Sequence, residues 1–166
     1  MMQRVARLRV PLGFLFAGLV LWLAQPTPRT LLAGAVIALL GEGIRIWAAG
    51  HLEKGREVTS SGPYALTRHP LYLGSSVIAL GLAIASASVA VAAIVIGYMA
   101  LTLTAAIRTE EAHLTEKFGA AYPDYRAGRM SVKRGFSLER AMRNREYRAA
   151  TGVLVVLAFL FWKAQT

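Results

Sequence analysis

Long apolar runs alternate with two polar stretches along this chain. An uncharged run extends from Pro11 to Pro28, and a second runs from Thr30 to about Gly50, interrupted by Glu42 and Arg45. A polar connector, His51 to Arg68, follows. From Leu71 to Ile107 there are then 37 residues without a formal charge. One membrane-spanning helix needs about 20 apolar residues. Two helices therefore share this run, with Ser86-Ala87-Ser88 as the turn and Gly74, Ser75, Ala79, Gly81, Ala83 and Ala85 as small surfaces for a close hairpin. Arg108 to Arg148 is polar, and Ala149 to Trp162 forms a last apolar run of 14 residues.

The pattern predicts an all-α fold, a polytopic transmembrane bundle of about five spans at 10–25, 30–50, 71–86, 88–108 and 149–163. All 166 residues form one integral-membrane domain. Pro26-Thr27-Pro28 separates the first two helices. No small-residue cleavage site follows the first run, so it reads as a retained span. Leu138, Met142 and Ala149 recur at helical spacing among Arg140, Arg143, Arg145 and Arg148, which predicts one amphipathic helix at the membrane surface. Glu42 and Arg45, three residues apart on one helix, predict an ion pair near the cytosolic end of the second span or, alternatively, the wall of a pocket for a polar headgroup.

Charge orients the bundle. The chain has 19 Lys and Arg against 9 Asp and Glu, a formal net charge of +10. With five spans and the N-terminus in the cytosol, only Arg29 and Lys163 fall on the far side, as the excess of basic residues in cytosolic loops requires. The connector 51–70 and the segment 109–148 then share the cytosolic face. Basic residues flanking apolar runs speak for lipid headgroups rather than nucleic acid. The absence of cysteine excludes disulfides and thiolate ligands, and His51, His69 and His113 lack metal-ligand spacing, so no metal site is expected.

Two clusters stand out against this background. The first is Gly62-Pro63-Tyr64-Ala65-Leu66-Thr67-Arg68-His69-Pro70-Leu71-Tyr72-Leu73-Gly74, in which Pro70 biases His69 away from helical geometry and predicts an extended turn at a helix start. The second is Arg108-Thr109-Glu110-Glu111, followed by His113, Leu114, Phe118, Gly119, Tyr122 and Tyr125. Adjacent carboxylates repel unless a cation such as Arg68 or a charged ligand lies between them.

Together these clusters resemble the isoprenylcysteine carboxyl methyltransferase and phospholipid methyltransferase family. The first reads as G-x-Y-x-x-x-R-H-P-x-Y-x-G and the second as E-E-x-x-L-x-x-x-F-G-x-x-Y-x-x-Y, over about residues 50–130. The resemblance implies an integral-membrane enzyme that transfers a methyl group from S-adenosylmethionine to a lipophilic small molecule or lipidated acceptor, an isoprenylcysteine-type carboxylate or a lipid amine. It places the cofactor against His51, Tyr64, His69, Pro70, Leu71, Tyr72 and Glu110. The arginine that the family carries one helical turn before Glu110 is replaced here by Ala106, so Arg108 is the nearest catalytic candidate, and Glu111 or His113 offers a route for proton loss from an amine acceptor. The family's Val-Pro-Arg-like closing segment is replaced here by Arg129 to Arg134. Membrane sterol reductases that use NADPH share an Arg-His-Pro-like turn and form a second reading. A non-enzymatic membrane protein, in which both clusters only organise helix ends, forms a third.

Overall fold

The computed structural model describes residues 17–130 and 132–166, and every regular element among them is helical. Residues 17–23 (α1) are helical and lead through 24–27 into α2, Pro28–Ala49. The connector holds one 3-10 turn, Gly62–Ala65. Then follow α3, Pro70–Ala85, and α4, Val89–Phe118. Two six-residue helices, α5 (Ala121–Arg126) and α6 (Leu138–Arg143), precede α7, Tyr147–Lys163.

The helix boundaries follow from local chemistry. Thr27 caps α2 through a reciprocal exchange with Thr30, and Pro28 occupies the first helical position, where a missing N–H costs nothing. The hairpin turn lies at Ser86-Ala87-Ser88 as expected, with Ala87 at φ 48° and the Ser88 hydroxyl accepting from the Val91 amide. Gly119 ends α4 at φ 52°, a backbone region that side chains disfavour.

Among the described residues two helices, α2 with 22 residues and α4 with 30, are long and apolar enough to cross a membrane. The apolar α3 has 16 residues and α7 has 17. Of the expected first span, only residues 17–25 lie within the described part; Arg4, Arg7, Arg9 and the cytosolic placement of the N-terminus lie outside it. Large apolar side chains such as Trp22, Leu32, Leu40, Leu101 and Phe161 are exposed. Of α4, only Val91 is buried.

The small-residue face of α3 meets a different partner from the one its sequence predicts. The pattern predicts a tight α3/α4 hairpin, but α3 packs most extensively on α2. Gly34 lies against Gly81 and Ala85, and Gly41 against Gly74 and Ile78, so the two helices run antiparallel with backbones in near contact. The reason is that α2 carries a matching stripe, Gly34, Ala38 and Gly41, whereas the facing part of α4 is Val- and Ile-rich. Close approach of the two backbones, which only matching small residues on both helices permit, decides the pairing.

Two further expectations change. The single amphipathic helix through 138–149 is broken, because Asn144 ends α6 and Arg145 adopts φ 61°. Arg45 also finds a better partner than Glu42. Its Nε lies 2.7 Å from Glu146 and 3.9 Å from Glu42, while its Nη1 reaches Ser75 Oγ at 2.5 Å. Glu146 opens α7, so one guanidinium ties together α2, α3 and α7. Both Glu42 carboxylate oxygens are buried, with no hydrogen-bond partner among the described residues.

The seam predicts a sharp asymmetry between glycines. A Cβ added at Gly81 would fall on the backbone of Ala38 and Gly34, whereas one at Gly97 meets nothing within 4 Å. Gly81→Val is expected to destabilise by about 1–3 kcal/mol or more, since overpacking must separate two backbones. Gly97→Ala should be neutral or mildly stabilising. Thermal unfolding of both variants in detergent checks this.

Candidate functional site

The site lies where the N-terminus of α3 meets the polar end of α4. His69 precedes Pro70 at φ −131° and ψ 58°, outside helical geometry but short of extended. Pro70 is fully buried and starts the helix. Leu71 and Tyr72 are therefore helical, so the extended turn expected at this helix start stops at His69. Their amides remain available for another reason. They belong to the first turn, where N–H groups have no intrahelical acceptor, and no side chain caps this helix. The positive end of the helix dipole gathers at the same place.

Glu111 brings the two sequence clusters together. Its Oε1 lies 3.1 Å from His69 Nε2 and 3.4 Å from Arg68 Nη1, which relieves the repulsion between the paired glutamates. The His69 ring stacks on Tyr72 with centroids 5.7 Å apart. Glu110, exposed on the helix, lies beside the Tyr72 hydroxyl and within electrostatic reach of Tyr64. Arg108 is also exposed, and it makes no ion pair among the described residues. The cation that engages the glutamate pair is Arg68.

The tyrosines of the second cluster close the back of the site. After Gly119 reverses the chain, α5 presents Tyr122 and Tyr125. The Tyr125 hydroxyl donates to the Tyr64 carbonyl at 2.6 Å, which fixes the 3-10 turn to α5, just beyond the end of α4. Tyr122 is 1% exposed, and its buried hydroxyl, near the Glu111 carboxylate, makes no hydrogen bond among the described residues. Burial, then the nearby Glu111 charge, pushes its phenol up to about 12. Burial, followed by the Glu110 carboxylate, likewise holds the Tyr64 phenol above its ordinary range. Both tyrosines thus keep their protons at any physiological pH and act as donors.

His51 stands apart from this group. It is buried between Trp47 and Phe136, and its Nδ1 lies 3.2 Å from Ser61 Oγ. That places it under the connector as a pin for the Ser61-Gly62 turn. The tail folds over the same connector. The Ser137 amide donates to the Gly50 carbonyl at 3.0 Å and the Val132 amide to Ser60 Oγ at 3.0 Å, while Asn144 Nδ2 donates to the Ala49 and Leu52 carbonyls. Arg134 pairs with Glu57 at 2.6 Å, and Arg140 Nε with Glu53 at 2.9 Å. Between tail and connector lies an open groove of about 410 Å³, lined by Ser60 to Gly62, Ala65 and residues 132–135. Among the described residues, no three His, Asp or Glu side chains gather as a metal site.

Residues 42–121 match the model of the phospholipid methyltransferase family. This segment belongs to that family. The phospholipid methyltransferase segment takes in Glu42, Arg45, the His69 turn and both glutamates, and it ends just before Tyr122. Over 106 residues the chain is 32% identical to the nickel-cobalt-cadmium resistance protein NccN of Alcaligenes xylosoxydans xylosoxydans, covering 63% of this chain and 48% of that protein. Over 87 residues it is 34% identical to the cobalt-zinc-cadmium resistance protein CzcN of Cupriavidus metallidurans, covering 51% of this chain and 39% of that protein. The chain thus spans less than half the length of these curated relatives in the matched regions. No solved structure matches it.

The pin at His51 is expected to be pH-sensitive. Burial, then the charges of Arg140 and Arg134, lower its pKa below the ordinary 6.5. The unfolded chain then binds a proton where the folded one does not, so stability is lost as pH falls from 6.5 towards the lowered folded value. Between about pH 7.5 and about pH 5.5 the thermal midpoint of the native protein should fall further than that of His51→Gln. Parallel melting curves in detergent measure the difference.

Proposed function

We propose that the chain is a multi-pass membrane enzyme that transfers a methyl group from S-adenosylmethionine to a lipophilic acceptor at the cytosolic face. The observation that carries this reading is the convergence of Arg68 and His69 on Glu111, with Tyr72 beside Glu110. It joins two clusters, more than forty residues apart in sequence, into one polar site at the ends of apolar helices. In this reading α1, α3 and α7 cross with α2 and α4, and the connector and the 109–148 segment face the cytosol together.

The donor set fits the cofactor. Free first-turn amides at Leu71 and Tyr72 suit a carboxylate, Glu110 suits an ammonium or ribose hydroxyls, and the faces of Tyr72 and His69 suit a sulfonium. When bound, S-adenosylmethionine supplies a methyl group on a positively charged sulfur that a nucleophile takes by displacement. The work of this chain is to orient and to desolvate. Tyr64 and Tyr122 donate from a buried wall, and the Tyr125 bond keeps that wall against α4. Where the acceptor is an amine, Glu111 receives its proton, with Arg68 and His69 stabilising the carboxylate beforehand. Arg108, exposed near the mouth, is available to an anionic headgroup.

Incubating the purified protein with methyl-labelled S-adenosylmethionine and a total lipid extract tests the reaction. A labelled lipid is the expected outcome. Unlabelled lipid together with saturable NADPH binding would instead favour a reductase.

Site variants test the residues. Glu110→Gln keeps the shape but removes the charge, and a charged hydrogen bond is worth about 1.5–3 kcal/mol, so cofactor affinity should fall roughly ten- to a hundred-fold. Pro70→Ala should also weaken binding, by letting the helix extend back through His69 and consume the free amides. Glu116→Gln, on the exposed side of α4, should change little. Calorimetric titration of the three variants compares them, and equal affinities would remove both clusters from the cofactor site.

A further inference from the structure

The tail that covers the connector has an outer face that the reaction does not use. Its inner side is fully engaged: Arg140 bonds Glu53 and the Gly50 carbonyl, Asn144 bonds the last carbonyls around α2, and Ala141 is buried. The outer side is apolar. Leu138 is 64% and Met142 52% exposed, one helical turn apart, with Phe136 and Tyr147 exposed beside them. Arg145 and Arg148 are exposed next to this patch and make no ion pair among the described residues. Arg143 differs, being shared between Glu53 and Glu139.

Position gives this face its meaning. The short α6 lies across the end of α2, at Ala49 and Gly50, and runs into Glu146 and Tyr147 where α7 begins. That is the level at which the apolar helices leave the hydrocarbon, if α2 and α7 cross the membrane as in the reading above. Leucine and methionine exposed at that level, rimmed by unpaired guanidinium groups, are complementary to a layer of anionic headgroups above acyl chains. Guanidinium groups bind phosphate bidentately, and the exposed Arg145 and Arg148 follow Met142 by three and six residues, one on each side of the Glu146 that opens α7.

We propose that residues 136–148 form a membrane-surface anchor that docks on anionic phospholipids, with Leu138 and Met142 among the headgroups and Arg145 and Arg148 on their phosphates. The anchor acts on the site through its inner side. By holding α6 down, it holds Gly50 and Glu53, and with them the connector that carries the Ser61 to Tyr64 turn. The inference rests on the membrane placement proposed above but not on methyl transfer.

The chain has no cysteine, so a single Met142→Cys can carry an environment-sensitive fluorophore in nanodiscs. Discs of phosphatidylcholine alone are compared with discs that also contain phosphatidylglycerol. A blue shift with phosphatidylglycerol is expected, reversed by high salt and lost in Arg145→Gln/Arg148→Gln. The charge-keeping Arg145→Lys/Arg148→Lys should retain most of it. A fluorophore at Glu116→Cys, exposed on the polar end of α4 and away from this patch, should not shift. Native mass spectrometry of the detergent-released protein should show retained phosphatidylglycerol falling roughly five-fold per arginine removed, a charge near an anionic surface being worth about 1 kcal/mol. A Met142 label indifferent to lipid charge, or a shift that survives loss of both arginines, would overturn the anchor. Neither readout depends on catalysis, so failure here and failure of the methyl-transfer assay are separate results.

Discussion

Direct backbone contact between α2 and α3 is the constraint on which the rest of the structure depends. Gly34 on Gly81 and Gly41 on Gly74 leave no room for side chains between these helices. The closeness fixes their relative rotation, and rotation fixes what stands at the polar end. Arg45, one turn beyond Gly41, is delivered to Ser75 and Glu146, and the start of α3 is delivered to the connector. A looser pairing filled by larger residues would give similar apolar burial without specifying where the charged groups meet.

From that seam the site is assembled in two steps. The α3 start supplies His69 and an uncapped helix end; α4, entering after a tight turn at Ala87, returns Glu110 and Glu111 to it. Electrostatics and sterics then support each other. Arg68 pairs with Glu111, His69 contacts the same carboxylate oxygen, and α5 folds back so that Tyr125 bonds Tyr64. The tail adds a third layer, tied down mainly through Glu53, which faces Arg134, Arg140 and Arg143 at once.

Much of this was legible in the sequence, for identifiable reasons. Proline and serine placed the starts of α2, α3 and α4, because those residues act locally through caps and fixed φ. The adjacency of Glu110 and Glu111 demanded a cation, and Arg68 was a stated candidate. What the sequence could not convey was choice among partners. The small face of α3 fitted either neighbour, and only the spacing of Gly34, Ala38 and Gly41 in α2 marked the right one. Arg45 had an acidic residue on its own helix; the signal for Glu146 was weaker, a lone acid among arginines at the start of the last apolar run. The roles of Tyr122 and Tyr125 depended on Gly119 reversing the chain, which a motif read along a line does not display.

The helix α4 runs unbroken from the Ser88 turn to Glu111 and beyond, with only Val91 buried. It is therefore a lever pivoted at one end and loaded at the other. From Val89 to Glu111 it rises about 33 Å, so a tilt of only about 5° sweeps the carboxylates sideways by about 3 Å, the length of a hydrogen bond. Tilt is also how a helix of fixed length adapts to the thickness of the bilayer around it. In the membrane placement proposed above, the alignment of Glu111 with His69 is in this way set jointly by the protein and by the lipid around α4, and a change of membrane thickness is mechanically a change in the geometry of the site.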